Sequence, residues 1–81
     1  MSARELFEEL GYKQIEYSNS YIIYNKFLKQ EERYIIEFHN NDTTFSKYKN
    51  RCGNIRDLFI NLEEFKAIQK QIEELGWESN K

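Results

Sequence analysis

The chain has no proline, three glycines, one cysteine and one histidine, and each scarcity excludes something. Without proline there is no polyproline stretch and no rigid Pro-rich linker. The glycines, Gly11, Gly53 and Gly76, stand far apart, so neither of the glycine-rich phosphate-binding motifs can be written. The lone Cys52 rules out an intramolecular disulfide, which suits a reducing compartment. His39 and Cys52 cannot make a zinc site without carboxylates from elsewhere, and no acidic run has calcium-loop spacing, so no metal or other cofactor is expected. The longest apolar runs are too short to span a bilayer, and the opening MSARELFEEL lacks the apolar core of a signal peptide. A cytoplasmic protein with no membrane partner is the expectation. Charge of one sign is also scarce. A net charge of −2 is wrong for a basic nucleic-acid coat and too small for an acidic DNA mimic.

What the chain does have is aromatic mass. Six Tyr, six Phe and one Trp in 81 residues supply a real core despite a charged fraction of 32%. This length is one domain, residues 1–81, whose stability rests on a single small core.

The centre of the chain is residues 21–40, YIIYNKFLKQEERYIIEFHN, in which Tyr-Ile-Ile occurs twice around a polar break. Two β-branched, aromatic runs around a short polar segment read as a β-hairpin. A turn at Gln30-Glu31 pairs Phe27 with Tyr34, Asn25 with Ile36 and Ile23 with Phe38. One face then carries Tyr21, Ile23, Phe27, Tyr34, Ile36 and Phe38 and is the expected core, flawed by Asn25. The other carries Ile22, Tyr24, Lys26, Leu28, Arg33, Ile35, Glu37 and His39.

Helical signals flank the hairpin. Ser2 with Glu5 forms a capping box before Leu6, Phe7 and Leu10, and Gly11 stands where a left-handed residue closes a helix. Asn61 with Glu64 forms a second box. Leu62, Phe65, Ile68, Ile72 and Leu75 follow at helical spacing, and Gly76 closes the run. The echo of EELG plus an aromatic, at residues 8–12 and 73–77, is one C-capping solution used twice. KQIEY (13–17) is a short alternating segment, and TTFSKYK (43–49) a third long strand after the Asn40-Asn41-Asp42 turn. IRDLFI (55–60) suits either an edge strand or an irregular approach to the last helix. The expected fold is therefore α+β, a two-layer α-β-β-β-α arrangement. Its antiparallel sheet has three strands, or four with a short extra strand at one end, and both helices cover one face.

No catalytic set emerges. Nothing local brings His39 to Cys52, although Arg51 could lower the thiol pKa. The doubled glutamates 8/9, 31/32, 63/64 and 73/74 are helix or turn neighbours that point apart. An enzyme is not expected. Two surfaces stand out instead. The apolar second face has no cover inside the chain, and Tyr24, Tyr48, Phe59 and Trp77 exceed what so small a core absorbs. Tyr and Trp are enriched at interfaces, so Ile22, Tyr24, Leu28, Ile35, Tyr48 and Trp77 are candidate partner-binding residues, for another protein or a second copy of the chain. Lys47, Lys49, Arg51 and Arg56, interleaved with Phe45 and Tyr48 and free of acids, are the alternative, a nucleic-acid contact. Lysines protecting an edge strand give the same pattern.

The phrases LFEELGY, YIIYNKF, IEF…FSKY and NLEEFKAIQKQIEELGW resemble small uncharacterised proteins of phages and prophages of low-GC Gram-positive bacteria, over most of the chain. The segment 50–56 departs from that pattern. The resemblance implies a cytoplasmic accessory protein that binds a host or phage protein. Some phage proteins of this size inhibit host defence, as anti-CRISPR proteins do, which makes an inhibitor of a defence nuclease a further alternative.

Overall fold

The computed structural model describes residues 1–29, 32–50, 54–55 and 59–77, with the backbone alone for 54–55. The order is α1 (Ala3–Glu9), β1 (Lys13–Tyr17), β2 (Tyr21–Phe27), β3 (Arg33–His39), β4 (Thr44–Asn50), β5 (Asn54–Ile55) and α2 (Leu62–Leu75). The strands form one antiparallel meander in chain order. Both helices pack on the same face, so the fold is the expected two-layer α+β arrangement. The sheet is extended by β1 and by the two-residue β5. Of the ambiguous segment, Ile55 forms strand together with Asn54, and Phe59 and Ile60 lead irregularly into α2. The expected turn residues Gln30 and Glu31 lie outside the described residues.

Local chemistry explains both helices. Each begins with a reciprocal capping box, Ser2 with Glu5 and Asn61 with Glu64. Each ends at a left-handed glycine, Gly11 at φ 93° and Gly76 at φ 74°, a backbone shape that other residues adopt only with strain. At α1 the Gly11 amide donates to Glu8 and the Tyr12 amide to Phe7, which closes a Schellman motif. That turn delivers Tyr12 into the core.

The hairpin differs from expectation by one residue. Phe27 pairs with Arg33, Lys26 with Tyr34, Tyr24 with Ile36 and Ile22 with Phe38. Side chains alternate along a strand, so this slip reverses β2 while leaving β3 as expected. Ile22 and Tyr24, assigned from sequence to an open face, are completely buried beneath the helices beside Ile36 and Phe38. Tyr21, Ile23 and Phe27 face away. The physical reason lies in what each choice buries. The Tyr24 ring stacks on Phe7 at 4.0 Å, and its hydroxyl reaches Gln71. The expected register would have placed Asn25 among the same apolar rings. Asn25 lies instead in a row with Ile35 and Tyr48 across the outer face, buried there by its neighbours, and its Oδ1 has no partner among the described residues.

Helix α2 is also turned relative to its apolar spacing. The residues it buries are Glu64, Ala67, Ile68 and Gln71, with Ile72 and Leu75 at the margin. Leu62 and Phe65, assigned from sequence to the core stripe, are exposed. Strand β1 carries a bulge between Gln14 and Glu16, and both Ile15 and Tyr17 are exposed on it. A short bulged edge strand resists pairing with other chains.

The register can be read from stability. Tyr24→Ala should cost about 3–5 kcal/mol, the usual loss for a buried aromatic, whereas Phe27→Ala should change stability by no more than about 0.5 kcal/mol. Urea titration of the two variants measures both, and the opposite ranking would support the other register.

Candidate functional site

The outer surface at the start of α2 is built from the inside. Glu64, in the first turn, has a side chain only 5% exposed and points at the sheet. Its carboxylate accepts from the Asn61 amide at 3.1 Å, which completes the cap, and from the Tyr12 hydroxyl at 2.7 Å. Lys47, on the helix-facing side of β4, completes the set. Its side chain is 8% exposed, and its ammonium is 2.9 Å from each carboxylate oxygen and 4.6 Å from the centre of the Tyr34 ring. The remaining donor of Lys47 goes to the Phe59 carbonyl at 3.0 Å.

Burial by itself pushes the Glu64 carboxyl up. The Lys47 ammonium, the Tyr12 hydroxyl and the Asn61 amide together outweigh that and hold it below its ordinary value of 4.5. The Tyr12 hydroxyl is driven well above its usual range by burial and by the carboxylate it donates to. Farther along α2, Tyr24 donates to Gln71 at 2.5 Å and accepts from Gln14 at 3.2 Å. Burial pushes the Tyr24 hydroxyl up to about 12, against the opposing pull of Gln14. Two polar side chains of α2 thus occupy core positions because two tyrosines and a lysine satisfy them.

With Glu64 and Gln71 turned inward, the apolar residues of the first helical turns are turned out. Phe59 is 95% exposed, Leu62 64% and Phe65 52%, and Ile60 stands beside them. Leu62 and Phe65, three apart on α2, share one side of the helix, and Phe59 and Ile60 immediately precede it in the chain, so an exposed apolar stretch, the shoulder, marks where the chain enters α2. Other large apolar residues are exposed elsewhere, among them Phe27 at 63% and Tyr21 at 43% on the outer face of β2.

The residues singled out from sequence do not converge. Ile22 and Tyr24 are core, and cannot meet a partner without unfolding the domain. Leu28 is exposed just beyond β2. Ile35 and Tyr48 are neighbours on the outer sheet face, and the Tyr48 hydroxyl donates to Glu37. Trp77 is half-buried on the helix side, 6.1 Å from Phe38, and donates to Asn40 at 2.8 Å. Of the basic set, Lys47 is consumed by the buried pair, and Lys49 is 3.2 Å from Glu32. Arg51, Arg56 and Cys52 lie outside the described residues. His39 is 3.2 Å from Glu37 and edge-on to Tyr21. Among the described residues no cluster could hold a metal ion, and no helix is long and apolar enough to cross a membrane.

Spacing alone missed the shoulder because it counted Leu62 and Phe65 with the core. A signal was present in Glu64. A capping carboxylate at that position fixes which side of the helix faces inward once a lysine and a tyrosine are there to receive it. Phe59 was already in surplus on composition. Comparison with protein-family models, curated proteins and solved structures finds no match to this chain.

The buried pair predicts an acid limb. A carboxyl depressed in the folded state contributes its stability fully above the unfolded value and loses it as pH falls through the folded one. Stability should therefore decline below about pH 4.5. Glu64→Gln, which keeps the cap acceptor but strands Lys47, should cost on the order of 3 kcal/mol near neutral pH. It should also flatten the acid limb. Urea titrations of both proteins between pH 7 and pH 3 check this.

Proposed function

We propose that this chain is a non-enzymatic interaction module that docks onto a protein through the apolar shoulder at the start of α2. The observation that carries the reading is the exposure of Phe59, 95%, together with that of Leu62 and Phe65, all within residues 59–65 where the chain enters α2. Large apolar residues exposed together over so short a stretch are costly to keep in water and are typical of a surface that is covered in use. Phe is among the residues enriched in such interfaces. The partner-binding role expected of Ile22 and Tyr24 passes to these residues. In the context its phrasing suggests, the chain is a cytoplasmic accessory protein of a phage or mobile element, and its partner a host or phage protein. A host defence nuclease is one such partner.

The nucleic-acid alternative has weaker support. Lys47, one of its four cations, has its charge answered by Glu64 beneath a helix, and Lys49 lies against Glu32. A second copy of the chain remains one form the protein partner takes.

The test uses the full chain and the double variant Phe59→Ser/Phe65→Ser. Its urea midpoint should stay close to that of the parent, because both side chains are exposed. If the shoulder pairs with itself, sedimentation equilibrium gives twice the monomer mass for the parent and the monomer mass for the variant. If the partner is heterologous, the parent sediments as a monomer and retains from bacterial lysate, with or without phage infection, a protein that the variant releases. A monomer whose captured proteins are the same for both chains overturns the reading.

A further inference from the structure

Phe59 is held in an unusual way. Its ring is 95% exposed and so contributes almost nothing to its own placement. Among the described residues, the one hydrogen bond to its peptide unit comes from Lys47, at 3.0 Å. That ammonium is itself fixed. The Lys47 side chain is largely buried, and the ammonium is bonded to both oxygens of Glu64, a residue bound in turn by Tyr12 and by the Asn61 cap. An ammonium has three donors, and here they are divided between the carboxylate, which anchors it, and one carbonyl of the segment leading into α2.

We propose that Lys47 is a positioning residue for the docking shoulder. Through its third donor it pins the Phe59 carbonyl to β4 and fixes the point on the main chain from which the exposed ring projects. The geometry is the reverse of what a lone buried ion pair requires. A pair that served only the core would have both partners satisfied within it. This one extends a donor outward to the main chain of the most exposed aromatic residue. Holding the main chain of an anchor residue in place before binding lowers the ordering cost of association, so the role makes physical sense for a shoulder that docks. The functional meaning of the inference rests on the docking reading above. The mechanical claim does not.

The test is made without a partner. Lys47→Met alone would strand the Glu64 carboxylate, so the variant of choice is Lys47→Met/Glu64→Gln. It removes both charges, while the amide introduced on α2 keeps an oxygen to accept from the Asn61 amide, as one carboxylate oxygen does in the parent, and places its NH2 at the Tyr12 hydroxyl, whose oxygen can accept. In the parent, backbone 15N order parameters at Phe59 and Ile60 should lie near those of the sheet, about 0.85. In the double variant they should fall below about 0.6 at these two residues, with β2 and β3 unchanged. Order at 59 and 60 that survives in the folded double variant overturns the proposal. Should that variant not fold, the parent decides. A through-hydrogen-bond correlation from the Lys47 ammonium to the Phe59 carbonyl supports the pin, and freely exchanging ammonium protons refute it. Phe59→Ser/Phe65→Ser, by contrast, tests docking with Lys47 untouched, so either idea can fail while the other stands.

Discussion

A carboxylate placed under a helix decides how this small domain is assembled. Glu64 closes the cap of α2, accepts from Tyr12 at the end of α1's closing turn, and holds Lys47 of β4. Three parts of the chain that have no sequence proximity thus meet at one pair of oxygens. A charge in such a place is tolerable only when every lone pair is answered, and any missing partner leaves a buried group unsatisfied. The arrangement therefore constrains more than it stabilises. It fixes the rotation of α2, and with it which residues of that helix are core and which are surface.

The same constraint reaches the hairpin. Once Glu64 and Gln71 face the sheet, the sheet must offer hydroxyls and an ammonium to meet them. Tyr12, from the turn after α1, and Lys47, from β4, meet Glu64, and Tyr24 meets Gln71 only if β2 presents Ile22 and Tyr24 inward. Aromatic packing agrees, since Phe7, Tyr12, Tyr24 and Phe38 meet ring to ring. Polar satisfaction and apolar packing thus select the same register. Agreement between separate levels of interaction is what lets a chain of this size settle on one structure. Trp77 adds a last tie, through Asn40, from the end of α2 to the β3–β4 turn, and the Asn40 side chain in turn holds the carbonyl of Asn19.

The proposed function rests on what the constraint leaves over. Turning two polar residues inward pushes Leu62 and Phe65 out, and Lys47 holds the Phe59 main chain alongside them. In the proposed reading, the buried polar cluster and the exposed apolar shoulder are two sides of one helix rotation. The basic segment that suggested nucleic acid has a structural use for the one cation whose surroundings are best defined. The sheet face without helices keeps Ile35 and Tyr48 close-packed among their neighbours, while the apolar residues it exposes are Tyr21 and Phe27, not the Ile22 and Tyr24 expected from sequence.

Much of this was legible in the residues themselves. The two capping boxes, the glycines at 11 and 76, the strand-rich centre and the two-layer α+β plan all follow from short-range chemistry, which involves residues three to five apart. The inward choice on β3, with Tyr34, Ile36 and Phe38, was legible too, because alternation there is clean. The register of β2 was not, since Ile22/Tyr24 and Ile23/Phe27 are nearly equal as apolar faces. The rotation of α2 was not either, since hydropathy cannot foresee that a glutamate and a glutamine belong inside. Local propensity and spacing determined the elements and their order. Only the tertiary structure decided their faces, because that choice depends on hydrogen-bond partners 17 to 52 residues away.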